Sequence, residues 1–226
     1  MKDSSIIVET GHAPQWAVLW LHGLGADGND FAPIVPELVA KNWPAVRFVF
    51  PHAPVRAVTI NGGMRMRAWY DIYGFSPSSR QDTEGLQESF SAVHSELAAL
   101  EKSGFTHDRL LLAGFSQGGA VTLGAGLRYP RRLGGLIALS TYLPISEALG
   151  AQAHASNADV PIFMAHGAQD PVIPQSRGEA SRDALRRAGY QVDWHSYAMP
   201  HSVCPQEIAD LQKWLGERFR NAAGAR

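Results

Sequence analysis

Short apolar, β-branched or Leu-rich runs alternate with amphipathic stretches along this chain, the pattern of a mostly parallel sheet covered by helices. The runs predict strands at 16–21, 47–50, 110–114, 135–140, 161–166 and 191–197, with 6–10 as a weaker edge strand. Helices are predicted at 30–41, 83–103, 117–129, 176–188 and 205–221. In the second of these, Leu86, Phe90, Val93, Leu97 and Leu100 recur at three- and four-residue steps and make one apolar stripe. Gly104 stops that helix, and Gly189 ends the one at 176–188. No internal repeat or separating linker interrupts the alternation. The expectation is one α/β domain over residues 1–226, with a core at about 6–219 and a small, polar tail at 220–226 that frays.

One connection breaks the rhythm. Residues 51–81 form a stretch too long for an ordinary loop in a compact domain. It carries Met64, Met66, Trp69, Tyr70, Tyr73 and Phe75, which is not the composition of a disordered segment. Asn61-Gly62, between Val58-Thr59-Ile60 and Met64-Arg65-Met66, is a hairpin turn signal. The aromatic residues either cover an edge of the core or wall an apolar substrate pocket.

Composition narrows the classes without choosing one. Hydrophobic residues make up 45% and charged residues 18%, an ordinary globular balance. A formal net charge of −1 gives no electrostatic footprint for nucleic acid or anionic lipid. The single cysteine, Cys204, rules out an intramolecular disulfide and a Cys-based metal cluster. No apolar run is long enough to span a bilayer, and Ile6-Ile7-Val8 is too short for a signal peptide. A cytoplasmic protein without stable membrane insertion is the expectation.

The chemistry begins at Leu110-Leu111-Leu112-Ala113-Gly114-Phe115-Ser116-Gln117-Gly118-Gly119-Ala120, which reads as strand, tight turn and helix. It contains Gly-x-Ser-x-Gly. Such a turn holds its serine in a strained conformation with the hydroxyl exposed above the sheet, as in the α/β-hydrolase fold. The bare pattern is common by chance; its place between an apolar strand and a helix start makes Ser116 the candidate nucleophile.

A serine hydroxyl needs a general base, and in this fold the partners follow in the order Ser, Asp or Glu, His. Beyond the late strands lie only His195 and His201. His195 falls inside an alternating strand, whereas His201 follows Met199-Pro200 where the strand has ended, so His201 is the base. Asp170, in His166-Gly167-Ala168-Gln169-Asp170-Pro171, lies just past a strand end, where the site of such a sheet forms. It orients His201, although an Asp before Pro is also a frequent turn former. The oxyanion donors are the backbone N–H of Gln117, after the serine, and that of Leu24 in the loop His22-Gly23-Leu24-Gly25-Ala26-Asp27-Gly28. His22 buttresses that loop.

Together these segments, with Trp69-Tyr70-Asp71 and Met199-Pro200-His201-Ser202, resemble the phospholipase/carboxylesterase family. That family includes acyl-protein thioesterases, lysophospholipases and small bacterial carboxylesterases. Leu139-Ser140-Thr141-Tyr142-Leu143-Pro144 is similar to the bacterial carboxylesterase branch. The resemblance implies an α/β-hydrolase fold with a mostly parallel central sheet, helices on both faces, no separate cap domain and no cofactor or metal. It implies the triad Ser116, Asp170 and His201 and the oxyanion donors Leu24 and Gln117. It also implies that the segment 59–75 borders an acyl pocket, with Met64, Met66, Trp69, Phe75 and Tyr142 lining it. Cys204 is expected to be a buried bystander.

The resulting expectation is a carboxylesterase acting on short- to medium-chain acyl esters. A lysophospholipase or acyl-protein thioesterase of the same mechanism stands beside it, so the partner is a small acyl ester or a lipid-like substrate. A homodimer contact through the apolar loop stays open. From other classes come a non-catalytic binding module and a metal-dependent hydrolase; for the latter no His-Glu-x-x-His spacing is present.

Overall fold

The computed structural model describes residues 5–74 and 79–221. Phe75 and residues 222–226 of the expected tail lie outside them. Seven strands form one sheet in the order β1-β3-β2-β6-β7-β8-β9. These are β1 (Ile6–Glu9), β2 (Trp16–Leu21), β3 (Val46–Phe50), β6 (Leu110–Phe115), β7 (Gly135–Leu139), β8 (Ile162–Gly167) and β9 (Val192–Tyr197). Only β1 runs antiparallel, on the outer side of β3. The remaining two, β4 (Val55–Val58) and β5 (Met64–Arg67), pair as a separate hairpin.

The strands sit at or within a residue of the predicted places, and the apolar runs of β2, β6, β7 and β8 are buried on both faces. Along β2, Ala17, Leu19 and Leu21 join one core cluster while Trp16, Val18 and Trp20 join the other. The first cluster is covered by α2 (Thr83–Lys102), α3 (Gln117–Arg128) and Leu185 of α5 (Gln175–Arg187), with the single-turn α4 (Leu149–Gln152) beside it. The second is covered by α1 (Val35–Leu38) and α6 (Pro205–Asn221). The stripe predicted on α2 points inward as expected: Leu86, Phe90, Val93, Leu97 and Leu100 are all buried. Asp82 caps that helix by accepting the Gly85 N–H at 3.1 Å.

Two elements differ from the sequence expectation. The single helix expected at 30–41 is a 3₁₀ turn, Ala32–Ile34, followed by one α-turn, Val35–Leu38. Pro33 and Pro36 lack the N–H that a longer helix would use, and Val39 is already extended with ψ 124°. The hairpin forms further out than its turn signal suggested. Its first strand is Val55–Val58, Thr59–Asn61 is a 3₁₀ turn, and Gly62 and Gly63 take the left-handed conformations (φ 66° and 78°) that reverse the chain.

On α6, Glu207 shares the inward face with Leu211, Trp214 and Leu215 and is fully buried. Neither of its carboxylate oxygens has a well-formed hydrogen bond. Burial pushes the carboxyl up to about 8, and the nearby Cys204 N–H pulls weakly the other way. Unfolding releases this proton above the ordinary value of 4.5, so stability is lost as pH rises from about 4.5 to about 8 and then levels. In urea titrations across that window, Glu207→Gln should gain on the wild type by several kcal/mol, since each unit is about 1.4 kcal/mol. A difference independent of pH would mean that Glu207 stays ionised in the fold.

Candidate active site

The site is assembled at the C-terminal ends of β2, β6, β7 and β8. Ser116, at the end of β6, has φ 54° and ψ −120°, a conformation that a residue with a Cβ rarely adopts. The turn is held by its neighbours: the Ser116 N–H donates to Leu139 O at 2.9 Å, and Thr141 Oγ1 donates to Ser116 O at 2.6 Å. The flanking glycines are required by proximity. A Cβ on Gly114 would stand 2.3 Å from Gly118 O, and one on Gly118 would stand 2.4 Å from Leu21 O. The end of β2 is thereby pressed against the start of α3.

That closeness brings the loop after β2 to the serine. A Cβ on Gly23 would lie 3.5 Å from Ser116 Cβ, so the main chain leading into Leu24 runs directly beside the hydroxyl-bearing residue. Gln117 is the first residue of α3, and its N–H has no acceptor within the helix. His22 is buried beneath the loop. Its Nδ1 donates to Gly23 O at 2.7 Å and its Nε2 accepts the Ala53 N–H at 3.0 Å, which makes it a neutral brace. Burial holds its pKa below the ordinary histidine value. Both of its nitrogens are occupied.

Asp170 carries two roles at once. Its Oδ1 accepts the N–H groups of Val172 and Ile173, each at 2.8 Å, which is the turn-forming behaviour of an Asp before Pro171. Its Oδ2 accepts from His201 Nδ1 at 2.6 Å. The Asp170 carboxylate is fully buried and the His201 ring keeps 15% of its surface. The backbone explains the meeting. A Cβ on Gly167, at the end of β8, would stand 2.4 Å from both Met199 O and Pro200 O, so the loop bearing His201 packs directly on that glycine. Gln169 N–H donates to Met199 O at 3.1 Å and locks the two loops together. The His201 ring lies 4.8 Å from the ring of Phe115, the residue before Ser116. His195, by contrast, stacks on Phe163 at 4.8 Å and pairs with Asp193 on the sheet face.

A small cavity of about 50 Å³ opens on Ser116 and Gln117 between Leu24, Tyr70 and Ile72 on one side and Val172 and Ile173 on the other. Tyr142 closes it. Its hydroxyl lies 2.8 Å from that of Tyr70, and the Arg177 guanidinium lies 4.0 Å from its ring centroid on the outside. Of the residues expected in an acyl pocket, Tyr142 is therefore in the wall. Met64, Met66 and Trp69 are not among the residues lining this cavity. Met64 is 64% exposed at the hairpin tip. The Met66 sulfur lies 3.3 Å from Asn61 Nδ2, within the hairpin. Trp69 is buried in the core and donates from Nε1 to His22 O at 2.9 Å, so it supports the Leu24 loop from below.

The sequence expectation held Tyr70 and Ile72 only as part of the segment 59–75 and missed Val172 and Ile173. A signal existed: Tyr70 adjoins Trp69, and Val172-Ile173 is the apolar pair after the acid. Missing was the direction of each side chain. Gln117 supplies it for Tyr70, accepting the Trp69 N–H at 2.9 Å and donating to Tyr70 O at 2.7 Å. Cys204 is half-buried, packed against the second core cluster. No group of three or more potential metal ligands occurs among the described residues. No helix among them is long and apolar enough to cross a membrane.

Comparisons with known proteins agree with this architecture. A family model described as phospholipase/carboxylesterase matches residues 2–218. Acyl-protein thioesterase 1 of Cryptococcus neoformans is 36% identical over 220 residues, covering 90% of this chain and 92% of that one. Crystal structures of Arabidopsis thaliana SOBER1 (TM-score 0.85, 31% identity, 90% and 98% of the two chains) and Zea mays acyl-protein thioesterase 2 (0.84, 28%, 95% and 98%) superpose on it. The fold is the α/β-hydrolase fold.

The strain at Ser116 has its own test. Ser116→Gly removes the Cβ that disfavours this conformation, relieving about 1–3 kcal/mol. It adds about 0.5–1 kcal/mol of chain-entropy cost. Ser116→Gly should therefore be more stable than Ser116→Ala by about 1 kcal/mol, read from urea midpoints at equal slope. Equal midpoints would show an unstrained turn.

Proposed function

The chain belongs to the phospholipase/carboxylesterase family of hydrolases, and from that membership and the geometry of its site we propose that it is a serine carboxylesterase acting on short-chain acyl esters. The observation that carries this reading is the 2.6 Å contact between His201 Nδ1 and the buried carboxylate of Asp170, beside a serine held on a strained turn. With Nδ1 donating to Asp170, the other ring nitrogen, Nε2, keeps its lone pair for a proton from Ser116.

In this mechanism Ser116 Oγ attacks the acyl carbonyl while His201 Nε2 takes the hydroxyl proton. The N–H groups of Leu24 and Gln117 receive the oxyanion, helped by the positive end of α3. His201 then protonates the departing alcohol or thiol, leaving an acyl-Ser116 ester. A water molecule, deprotonated by the same imidazole, attacks the acyl-enzyme and releases the carboxylic acid. The Asp170 carboxylate stabilises the imidazolium at each stage. Thioesters are a second class of substrate for the same steps, favoured by the similarity to proteins named acyl-protein thioesterase.

A fluorophosphonate probe should label the wild-type protein and fail to label Ser116→Ala; an unlabelled wild type would sink the hydrolase mechanism. Asp170→Asn should keep the fold and cut kcat by up to about 10⁴-fold, since the imidazole would be held in the wrong tautomer. Turnover within a few-fold of wild type would show that another group orients His201.

A cavity of about 50 Å³ closed by the Tyr70–Tyr142 pair limits the acyl chain. In a series of p-nitrophenyl esters, acetyl and butyryl should exceed octanoyl in kcat/KM. Tyr142→Ala should raise the octanoyl-to-butyryl ratio about tenfold or more by opening the closed end. An unchanged ratio would place the acyl chain elsewhere.

A further inference from the structure

The small cavity is lined by Ser116, and a second, larger one is lined by His201. A groove of about 410 Å³ runs from the His201 ring between the broken helix at residues 31–37 and the start of α6. Phe31, Pro33, Ile34, Phe115, Val203 and Ile208 line it. Phe31 and Phe115 have ring centroids 5.4 Å apart, and Phe115 in turn lies 4.8 Å from His201. An aromatic floor thus leads from the groove to the imidazole.

The chemistry of acyl transfer assigns the two cavities. The group protonated by His201 is the leaving alcohol or thiol, so it must lie on the His201 side of the scissile bond. The acyl half lies on the other side, towards Tyr70 and Tyr142. The larger space is therefore on the leaving-group side, and the acyl side is the confined one. Asp30 and Glu37 stand at the groove's rim, and no Lys or Arg is among its described lining residues. Neither carboxylate is in an ion pair among the described residues.

We propose that this groove is the leaving-group subsite, and that the substrate is a small acyl group carried on a bulky alcohol or thiol with an apolar body and a positive charge. The proposal rests on the hydrolase reading above. It adds a specificity that the triad alone does not contain: Phe31, Ile34 and Ile208 receive the apolar body, and Asp30 and Glu37 favour the cation.

The test keeps the acyl group fixed as acetyl, so that differences in kcat/KM, which spans binding and acylation, arise from the leaving group. Methyl acetate, 2-naphthyl acetate and naphthyl acetates bearing a trimethylammonium or a sulfonate group are compared at low salt. Ile34→Trp, which fills the groove, should lower kcat/KM for the naphthyl esters about tenfold more than for methyl acetate. Asp30→Asn combined with Glu37→Gln should reduce the ammonium-to-sulfonate ratio several-fold from its wild-type value. High salt should do the same to the wild type, because exposed charges are screened. Comparing variants on the same esters removes differences in leaving-group reactivity. Equal effects of Ile34→Trp on methyl and naphthyl acetates, or an unaltered charge ratio in the double variant, would overturn the proposal. So would a change in acyl-length preference among methyl esters in Ile34→Trp, since the groove would then hold the acyl chain. Failure of the hydrolase reading looks different: no ester in the set would be cleaved in a Ser116-dependent way.

Discussion

Backbone crowding at the C-terminal edge of the parallel sheet is the constraint on which the site depends. Gly114, Gly118 and Gly119 let the end of β6, the start of α3, the end of β2 and Thr141 approach closer than any side chain would allow. The Ser116 turn stays in its unfavourable conformation because these neighbours leave it nowhere else to go. Hydrogen bonds from Ser116 N–H to Leu139 and from Thr141 to Ser116 O tie it to the strand on the other side. The same crowding places the Gly23–Leu24 main chain beside the serine, so the proposed nucleophile and the proposed oxyanion loop are positioned by one set of contacts.

The opposite side of the site follows the same logic two strands away. Gly167 has no Cβ, so the carbonyls of Met199 and Pro200 settle directly on the end of β8. This brings the loop carrying His201 over the loop carrying Asp170, although the two residues are far apart in sequence. Asp170 then divides its oxygens between building its own turn and holding the imidazole. A residue that shapes the loop and orients the proposed base has little freedom to move, and orientation is what proton transfer in a fixed geometry needs.

The long segment after β3 divides between the two parts its composition suggested. Its largest apolar residue, Trp69, faces inward and braces His22 and the loop after β2, while Met64 is exposed at the hairpin tip. Tyr70, held by the side chain of Gln117, faces the cavity instead and meets Tyr142. Gln117 therefore acts twice in the proposed mechanism: its backbone N–H faces the oxyanion, and its side chain fixes one wall of the acyl cavity. In that mechanism specificity and catalysis share a residue, and the confined cavity at Ser116 contrasts with the wider groove beside His201.

The sequence alone determined the strands, most of the helices and the candidate positions of the chemistry, because these are written in local terms. Apolar runs mark buried strands, a three-and-four spacing marks α2, and glycines around a serine mark a turn that only small neighbours permit. The order of Ser116, Asp170 and His201 along the chain was legible because each follows the end of a strand in one sheet. Even locally, two prolines overruled the apolar pattern at residues 30–41. Only the tertiary structure decided which way the side chains of residues 64–73 point, where the cavities lie and how unequal they are. Those depend on contacts between segments distant in sequence, such as Gln117 with Tyr70 and Tyr70 with Tyr142. The volume left between such segments is a property of their packing, and no periodicity along the chain encodes it.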